Sequence, residues 1–298
     1  HKEGPFFTFI STNAPHDQYT VPKDAYDLYE GKDLKLPESY SDDLKDKPNL
    51  YRRLRSVIDG FSLEDIKEIR HLYHAFCSVL DKEIGRLLDY LKANDLYDNT
   101  LIVVLSDHGD YQGAHGLMCK GVAAFEEAYR IPLVWKLPNS TKTNKRCSTI
   151  MSIMDIGATV LDITGNGSVS NSIDGKSRRY TIEGEYDSSS YAIAENFGQR
   201  YSYTQRVVWK DKIKYVFNAF DYDELYDLEN DPHELHNLSE DPTWKEKKEE
   251  MCALMQDIVV DTDDATMTNA TYFMLRFAPN GPKKKLNGGE YTVYNKVF

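Results

Sequence analysis

The residues best suited to chemistry follow directly after an apolar run that is rich in β-branched side chains. This run, Leu101–Leu105, is followed by Ser106, Asp107 and His108. A carboxylate and an imidazole this close together could bind one divalent metal ion. An Asp-His-Gly sequence could equally form a turn in which the aspartate accepts hydrogen bonds from backbone N–H groups. The pattern leaves both interpretations open.

Lys120 lies in a glycine-punctuated loop beyond this pair, in the sequence Gly-Leu-Met-Cys-Lys-Gly. If its ammonium and a metal ion faced the same pocket, both would stabilise negative charge on a tetrahedral oxyanion ester. His16 lies in a polar turn after a predicted strand, Phe6–Ser11, and could protonate the leaving alkoxide or bond a nonbridging oxygen. A solvated loop histidine is the alternative for His16. The three groups together favour ester hydrolysis.

The elements that must position these residues have the pattern of an α/β protein. Leu101–Leu105 is typical of a buried parallel strand, and open α/β sheets place their sites at the carboxyl ends of such strands. The roughly 3.6-residue helical period predicts a helix from Ser62 to about Leu96, with a capping box formed by Ser62 and Asp65. A further short strand is predicted at Ile131–Lys136. The alternation predicts a doubly wound, mainly parallel sheet.

The C-terminal part has a different pattern, with successive strands followed by one helix. Such an arrangement predicts a small antiparallel sheet packed by a helix. The predicted elements are strands at Tyr191–Glu195, Arg206–Lys210, Ile213–Asn218 and Glu224–Leu228, and a helix from about Trp244 to Val260. The predicted division is therefore an α/β domain at 1–165, a Ser-, Asn- and Gly-rich linker at 166–190, an antiparallel α+β subdomain at 191–261 and a tail at 262–298.

Composition narrows the class of protein. The 298 residues are 41% hydrophobic and 28% charged, which is typical of a soluble globular protein. The net charge of -12 argues against nucleic acid or an anionic membrane surface as the main partner. No apolar run approaches the roughly 20 residues of a transmembrane helix, and no signal peptide is recognisable, so the compartment stays open. The four cysteines are widely spaced and are interpreted as free thiols.

Several motifs carry a family resemblance. The run SDHGDYQGAHGLMCKG, followed by FEEAYRIPL, resembles the sulfatase family of the alkaline phosphatase superfamily. In that family a strand ends in Ser-Asp-His/Asn-Gly, and a Gly-Lys-Gly-like element and an E-x-x-x-R-x-P run follow. Further matches cover most of residues 5 to 260 in family order: FFTFISTNAPHDQYT, DIGATVLDITG, IDGKS and ELYDLENDPHELHNL.

The resemblance implies roles for individual residues. Asp107 and His108 match metal-ligand positions, Lys120 matches the sulfate-contacting lysine, and His16 matches the histidine of the Ala-Pro-His turn. Lys120 and His16 are thus the expected catalytic residues, and His115 is expected to contribute to the wall of the substrate pocket. Calcium is the expected metal, although many members have Asn where this chain has His108, and imidazole is a softer ligand than oxygen.

One family feature is not found. Sulfatases use a formylglycine nucleophile made from Cys or Ser in C/S-x-P/A-x-R, and none of the four cysteines begins such a motif. The chain therefore resembles the C-terminal portion of a sulfatase, expected to be inactive without the N-terminal portion that carries the nucleophile and further metal ligands.

The implied function is metal-assisted hydrolysis of a small-molecule or carbohydrate sulfate ester. Two alternatives stay open. One is a phosphodiester or phosphonate monoester hydrolase of the same superfamily, and the other is a noncatalytic sulfatase-like binding protein.

Overall fold

A computed structural model describes residues 4–141, 145–167, 173–198, 203–219 and 221–268. The contacts divide the chain into two compact units. The first comprises His1–Pro37, Asp59–Ile102 and Lys136–Ser140, and the second comprises Glu38–Ile58, Val103–Trp135 and Thr141–Phe298. The predicted domain boundaries stay a prediction. No helix in the described ranges is both long and apolar enough to cross a membrane.

The described residues form helices and strands in a mixed order. The helices are α1 (Lys23–Asp27), α2 (Asn49–Arg55), α3 (Leu63–Ala93), α4 (Glu126–Tyr129), α5 (Met154–Ile163), α6 (Arg179–Glu183), α7 (Lys245–Asp261) and α8 (Ala265–Thr268). The strands are β1 (Ile102–Leu105), β2 (Leu133–Lys136), β3 (Tyr191–Asn196), β4 (Gln205–Lys210), β5 (Ile213–Asn218) and β6 (Glu224–Asp227). Strand β1 pairs with β2 in a two-stranded sheet.

Helix α3 confirms the predicted long helix of the first unit. The Ser62 hydroxyl accepts a hydrogen bond from the Asp65 N–H at 3.1 Å, and the Asp65 carboxylate accepts one from the Ser62 N–H at 2.8 Å. This reciprocal pair satisfies backbone donors that the first turn of a helix leaves without intrahelical partners. The helix thus begins where its sequence predicts.

The strand predicted at Phe6–Ser11 is wrong. These residues are assigned to no strand, and Phe7 and Phe9 are 82% and 80% exposed. A strand needs a second strand to satisfy its backbone N–H and C=O groups, and no described strand pairs with this segment. The β-branched and aromatic composition that suggested a strand is therefore not sufficient here.

The second sheet has the order β3-β4-β5-β6 and is antiparallel throughout. On one face, Val208 and Tyr215 are cross-strand partners, and they pack against Met255 and Ile258 of α7 in one buried cluster. This confirms the predicted antiparallel sheet with a helix on it. The opposite face is also covered, because Val207 and Val216 form a buried cluster with Ala124.

We predict that Ser62→Ala lowers the free energy of unfolding by about 1 kcal/mol, because the mutation removes the N-cap acceptor of α3. Urea unfolding followed by circular dichroism measures the change. The matched control is Ser41→Ala, at an exposed serine of the second unit. Equal stability of the two variants would contradict the assigned capping role.

Candidate functional site

Asp107 and His108 emerge at the end of β1 in an exposed turn. The Asp107 carboxylate accepts a hydrogen bond from the His108 N–H at 3.0 Å. The His108 Nδ1 lies 2.9 Å from the Gly109 carbonyl oxygen. Because a carbonyl can only accept, Nδ1 is the donor, and in a neutral ring Nε2 then has the lone pair. The side chains are 86% and 39% exposed, so both can reach a ligand.

The geometry of this pair fits two ligands of one metal ion. His108 Nε2 and Asp107 Oδ2 are 3.7 Å apart. Metal–ligand bonds of about 2.0–2.6 Å allow one ion to contact two donors at this separation. The hydrogen bond from Nδ1 to a carbonyl is also the usual way in which a metal-binding imidazole is oriented. Among the described residues no group of three or more His, Cys, Asp or Glu side chains could hold a metal, so this pair would supply only part of a site.

Gly109 anchors the turn to helix α4. Its N–H donates to the Ala128 carbonyl at 2.8 Å. A Cβ atom at this position would lie 1.9 Å from the Glu127 carbonyl oxygen. Only glycine permits this close approach, so its position fixes the turn that carries Asp107 and His108.

The loop from 110 to 120 is folded on itself. The Asp110 carboxylate accepts hydrogen bonds from the backbone and side-chain nitrogens of Gln112, each at 3.0 Å, in a turn that fits an aspartate. The Tyr111 N–H donates to the Cys119 carbonyl at 2.8 Å and closes the loop. Lys120 follows this closure directly and is partly buried. The hydrogen bond to Cys119 therefore fixes the backbone immediately before Lys120.

His115 lies inside the core of the second unit. Its side chain has no solvent exposure, and its ring stacks on Phe125 with centroids 3.5 Å apart and planes at 6°. Its Nδ1 lies 2.7 Å from Asp42 Oδ2. In this structure His115 anchors the loop from 110 to 120 to Asp42 and Phe125. Its assignment to the substrate pocket stays a prediction.

The Asp42 carboxylate is held in its charged form. Burial opposes this charge, but the His115 imidazole, the Leu44 N–H and the Lys47 ammonium outweigh burial and lower the pKa of Asp42 to about 2. Burial lowers the pKa of His115, so the imidazole is neutral and donates its Nδ1 proton to Asp42.

His16 lies in the first unit, in an exposed turn. Its N–H donates to the Asn13 carbonyl at 2.7 Å, and its Nδ1 lies 2.6 Å from the Asp17 carbonyl oxygen. The catalytic role predicted for His16 and its place beside Lys120 stay predictions. Arg130, within the E-x-x-x-R-x-P run, is exposed.

Sequence reasoning missed the buried polar residues that hold the segment after Lys120. Lys214 of β5 is fully buried, which the prediction of a strand at Ile213–Asn218 did not indicate. Glu234 is also fully buried and contacts Lys214. The only available signal was the position of Glu234 within the motif ELYDLENDPHELHNL.

We predict that acid weakens the fold through Asp42. Because its pKa in the folded protein is about 2, below the ordinary 3.8, its contribution is complete above about pH 4 and is lost as the pH falls towards 2. Asp42→Asn should remove about 2 kcal/mol at neutral pH and flatten this part of the stability profile. Urea unfolding at a series of pH values measures both effects. Asp43→Asn, at an exposed neighbour, is the control, and equal profiles for the two variants would refute the assignment.

Two family models match the chain. The model described as sulfatase matches residues 1–166, and the model described as N-sulphoglucosamine sulphohydrolase, C-terminal, matches residues 113–261. A choline-sulfatase from Rhizobium meliloti (strain 1021) is 32% identical over 245 residues, which are 80% of this chain and 47% of the relative. The chain spans about half the length of the curated relatives that it matches.

Solved structures show the same fold at low sequence identity. One, in complex with its substrate D-glucosamine-2-N,6-O-disulfate, has a TM-score of 0.72 and 20% identity, and the match covers 84% of this chain and 64% of that chain. A phosphonate monoester hydrolase from Silicibacter pomeroyi has a TM-score of 0.71 and 22% identity, with 82% and 54% covered. The α/β fold class predicted from the sequence is thereby confirmed. Since the sulfatase model matches more than half of the 298 residues, the chain belongs to the sulfatase family.

Proposed function

We propose that this chain forms one side of the active site of a metal-assisted sulfate ester hydrolase. The observation that carries the proposal is the pair at the end of β1, where Asp107 Oδ2 and His108 Nε2 lie 3.7 Å apart and both side chains are accessible. Membership of the sulfatase family and the similarity to a choline-sulfatase support the reaction class. Lys120, on the loop closed next to the same turn, adds the positive charge that an anionic ester requires.

The roles of this chain's residues follow from their chemistry. A divalent cation, with calcium as the family expectation, would polarise the ester oxygens when bound between Asp107 and His108. The Lys120 ammonium stabilises negative charge on the sulfate oxygens or on the leaving group. His16 protonates the leaving alkoxide. The imidazole of His108 makes the ligand set softer than an all-oxygen set, so the identity of the metal must be measured.

The nucleophile would come from another segment of the same protein. None of the four cysteines begins the C-x-P/A-x-R motif from which formylglycine is made. The family places that residue, with further metal ligands, in an N-terminal segment. We therefore propose that this chain is active only together with such a segment, and that an N-terminal portion with formylglycine is its principal partner.

The substrate class is a small-molecule or carbohydrate sulfate ester. Support comes from relatives and structural neighbours, one of which is a choline-sulfatase and another of which binds a disulfated glucosamine. The fold is shared with a phosphonate monoester hydrolase, so phosphonate monoesters are the second candidate substrates.

Comparative turnover tests the proposed function. The natural polypeptide that contains this chain is assayed with an aryl sulfate and with the matching aryl phosphonate monoester, before and after metal removal by a chelator. We expect the sulfate to have the higher kcat/KM and its turnover to stop without metal. A higher kcat/KM for the phosphonate would favour the second candidate, and turnover of neither ester by metal-loaded protein would favour a noncatalytic binding protein.

We predict that Lys120→Ala lowers kcat/KM for the aryl sulfate by roughly a hundredfold or more, because it removes a charge that stabilises the transition state. Steady-state kinetics on the same polypeptide measure the loss. Lys245→Ala, at an exposed lysine at the start of α7, is the control for the loss of one positive charge. Similar kinetics for both variants would remove Lys120 from the active site.

A further inference from the structure

The segment that follows Lys120 is buried completely. Val122, Ala123, Ala124 and Phe125 are between 0% and 1% exposed. The segment connects Lys120 to helix α4, which in turn holds the Asp107–His108 turn through Gly109. Its position therefore sets the distance between the predicted charge-stabilising ammonium and the predicted metal ligands.

Side chains, rather than a neighbouring strand, hold the backbone of this segment. The Lys214 Nζ donates to the Ala124 carbonyl at 2.5 Å, and the Ala124 N–H donates to the Tyr51 hydroxyl at 3.1 Å. The Glu126 N–H donates to Glu234 Oε2 at 2.7 Å. The segment is thus fixed from both sides by groups that lie far away in the sequence.

Lys214, Glu234 and Glu126 form one buried charged cluster. The Lys214 ammonium contacts Glu234 and lies 3.6 Å from Glu126 Oε1, which also accepts a hydrogen bond from Trp209 Nε1 at 2.7 Å. Burial opposes the charge of Lys214, but Glu234 and Glu126 outweigh it and raise the pKa of the lysine. The ammonium is therefore present throughout the neutral range.

A buried ion pair by itself contributes little to the free energy of unfolding. Removing two charges from water offsets most of their mutual attraction, and apolar replacements of similar volume are often as stable. Buried polar groups with full hydrogen bonding do, however, restrict a backbone to one arrangement. This cluster bonds directly to the backbone at Ala124 and Glu126, which an apolar core could not do.

We propose that Lys214 and Glu234 are positioning residues that fix Lys120 relative to the Asp107–His108 turn through the backbone of residues 122–126. This proposal rests on the proposed function of Lys120. The antiparallel sheet, which carries Lys214 on β5, would then contribute to the rate of the reaction without touching the substrate. Misplacement of a catalytic group by about 1 Å can cost roughly a hundredfold in rate.

A double-mutant cycle tests the proposal on the natural polypeptide that contains this chain. Lys214→Met, which keeps the length of the side chain, should lower kcat for an aryl sulfate about tenfold to a hundredfold and change KM much less. In a Lys120→Ala background the same mutation should have little further effect, because no ammonium is left to position. Lys210→Met, on β4 at a lysine paired with Glu250, is the control and should leave kcat unchanged.

Two results would overturn the proposal. One is an unchanged kcat for folded Lys214→Met, and the other is an equal loss with and without Lys120, which would indicate a general structural effect. If Lys214→Met does not fold, Glu234→Gln gives the same cycle, because the amide oxygen still accepts the Glu126 N–H while the negative charge is lost.

Hydrogen exchange separates this proposal from the proposed function. If the unmodified polypeptide hydrolyses no sulfate ester, the proposed function has failed. The restraint that Lys214 and Glu234 place on residues 122–126 can still be measured as protection of the amides of these residues. We expect Lys214→Met to lower that protection at least about tenfold relative to Lys210→Met. Equal protection in the two variants would refute the restraint of residues 122–126 by Lys214.

Discussion

The contact on which the second unit depends is that between the segment 122–125 and the inner face of the antiparallel sheet. Val207 and Val216 supply apolar surface to Ala124, while Lys214 binds the carbonyl of the same residue. The sheet is consequently buried on both faces, by α7 on one side and by this segment on the other. Because the segment has side-chain partners for its backbone groups, it can be buried without being a strand.

This arrangement explains why Asp107, His108 and Lys120 lie in the same compact unit as the C-terminal sheet. Asp107, His108 and Lys120 lie on loops whose ends are tied to α4 and to the segment before it, and those in turn contact β4 and β5. The net charge of -12 is compatible with the proposed site for an anionic ester, since a local ammonium and a metal ion would act at short range. The acidic surface is screened over a distance of about 10 Å at moderate salt.

Local patterns predicted most of the elements, although not the absence of a strand at Phe6–Ser11, and were insufficient for the contacts between the elements. Helix α3 could be predicted because its capping box and its apolar period are both encoded in consecutive residues. The strands around Lys214 could be predicted as strands, but the burial of Lys214 could not. Its real partner, Ala124, lies 90 residues earlier, and no periodicity within β5 reports on that. The family resemblance predicts His115 on the pocket wall, which stays a prediction, but it did not indicate the packing of His115 against Phe125 and Asp42.

We propose that Asp107 and His108 are ligands of one metal ion in a sulfate ester site. Calcium titration of the natural polypeptide, followed by calorimetry, tests it most directly with Asp107→Asn against Asp110→Asn, whose residue structures the neighbouring turn. We predict that Asp107→Asn weakens calcium binding by more than the roughly tenfold expected from losing an outer-shell partner, whereas Asp110→Asn changes it little. Unchanged calcium affinity in Asp107→Asn would rule out Asp107 as a metal ligand.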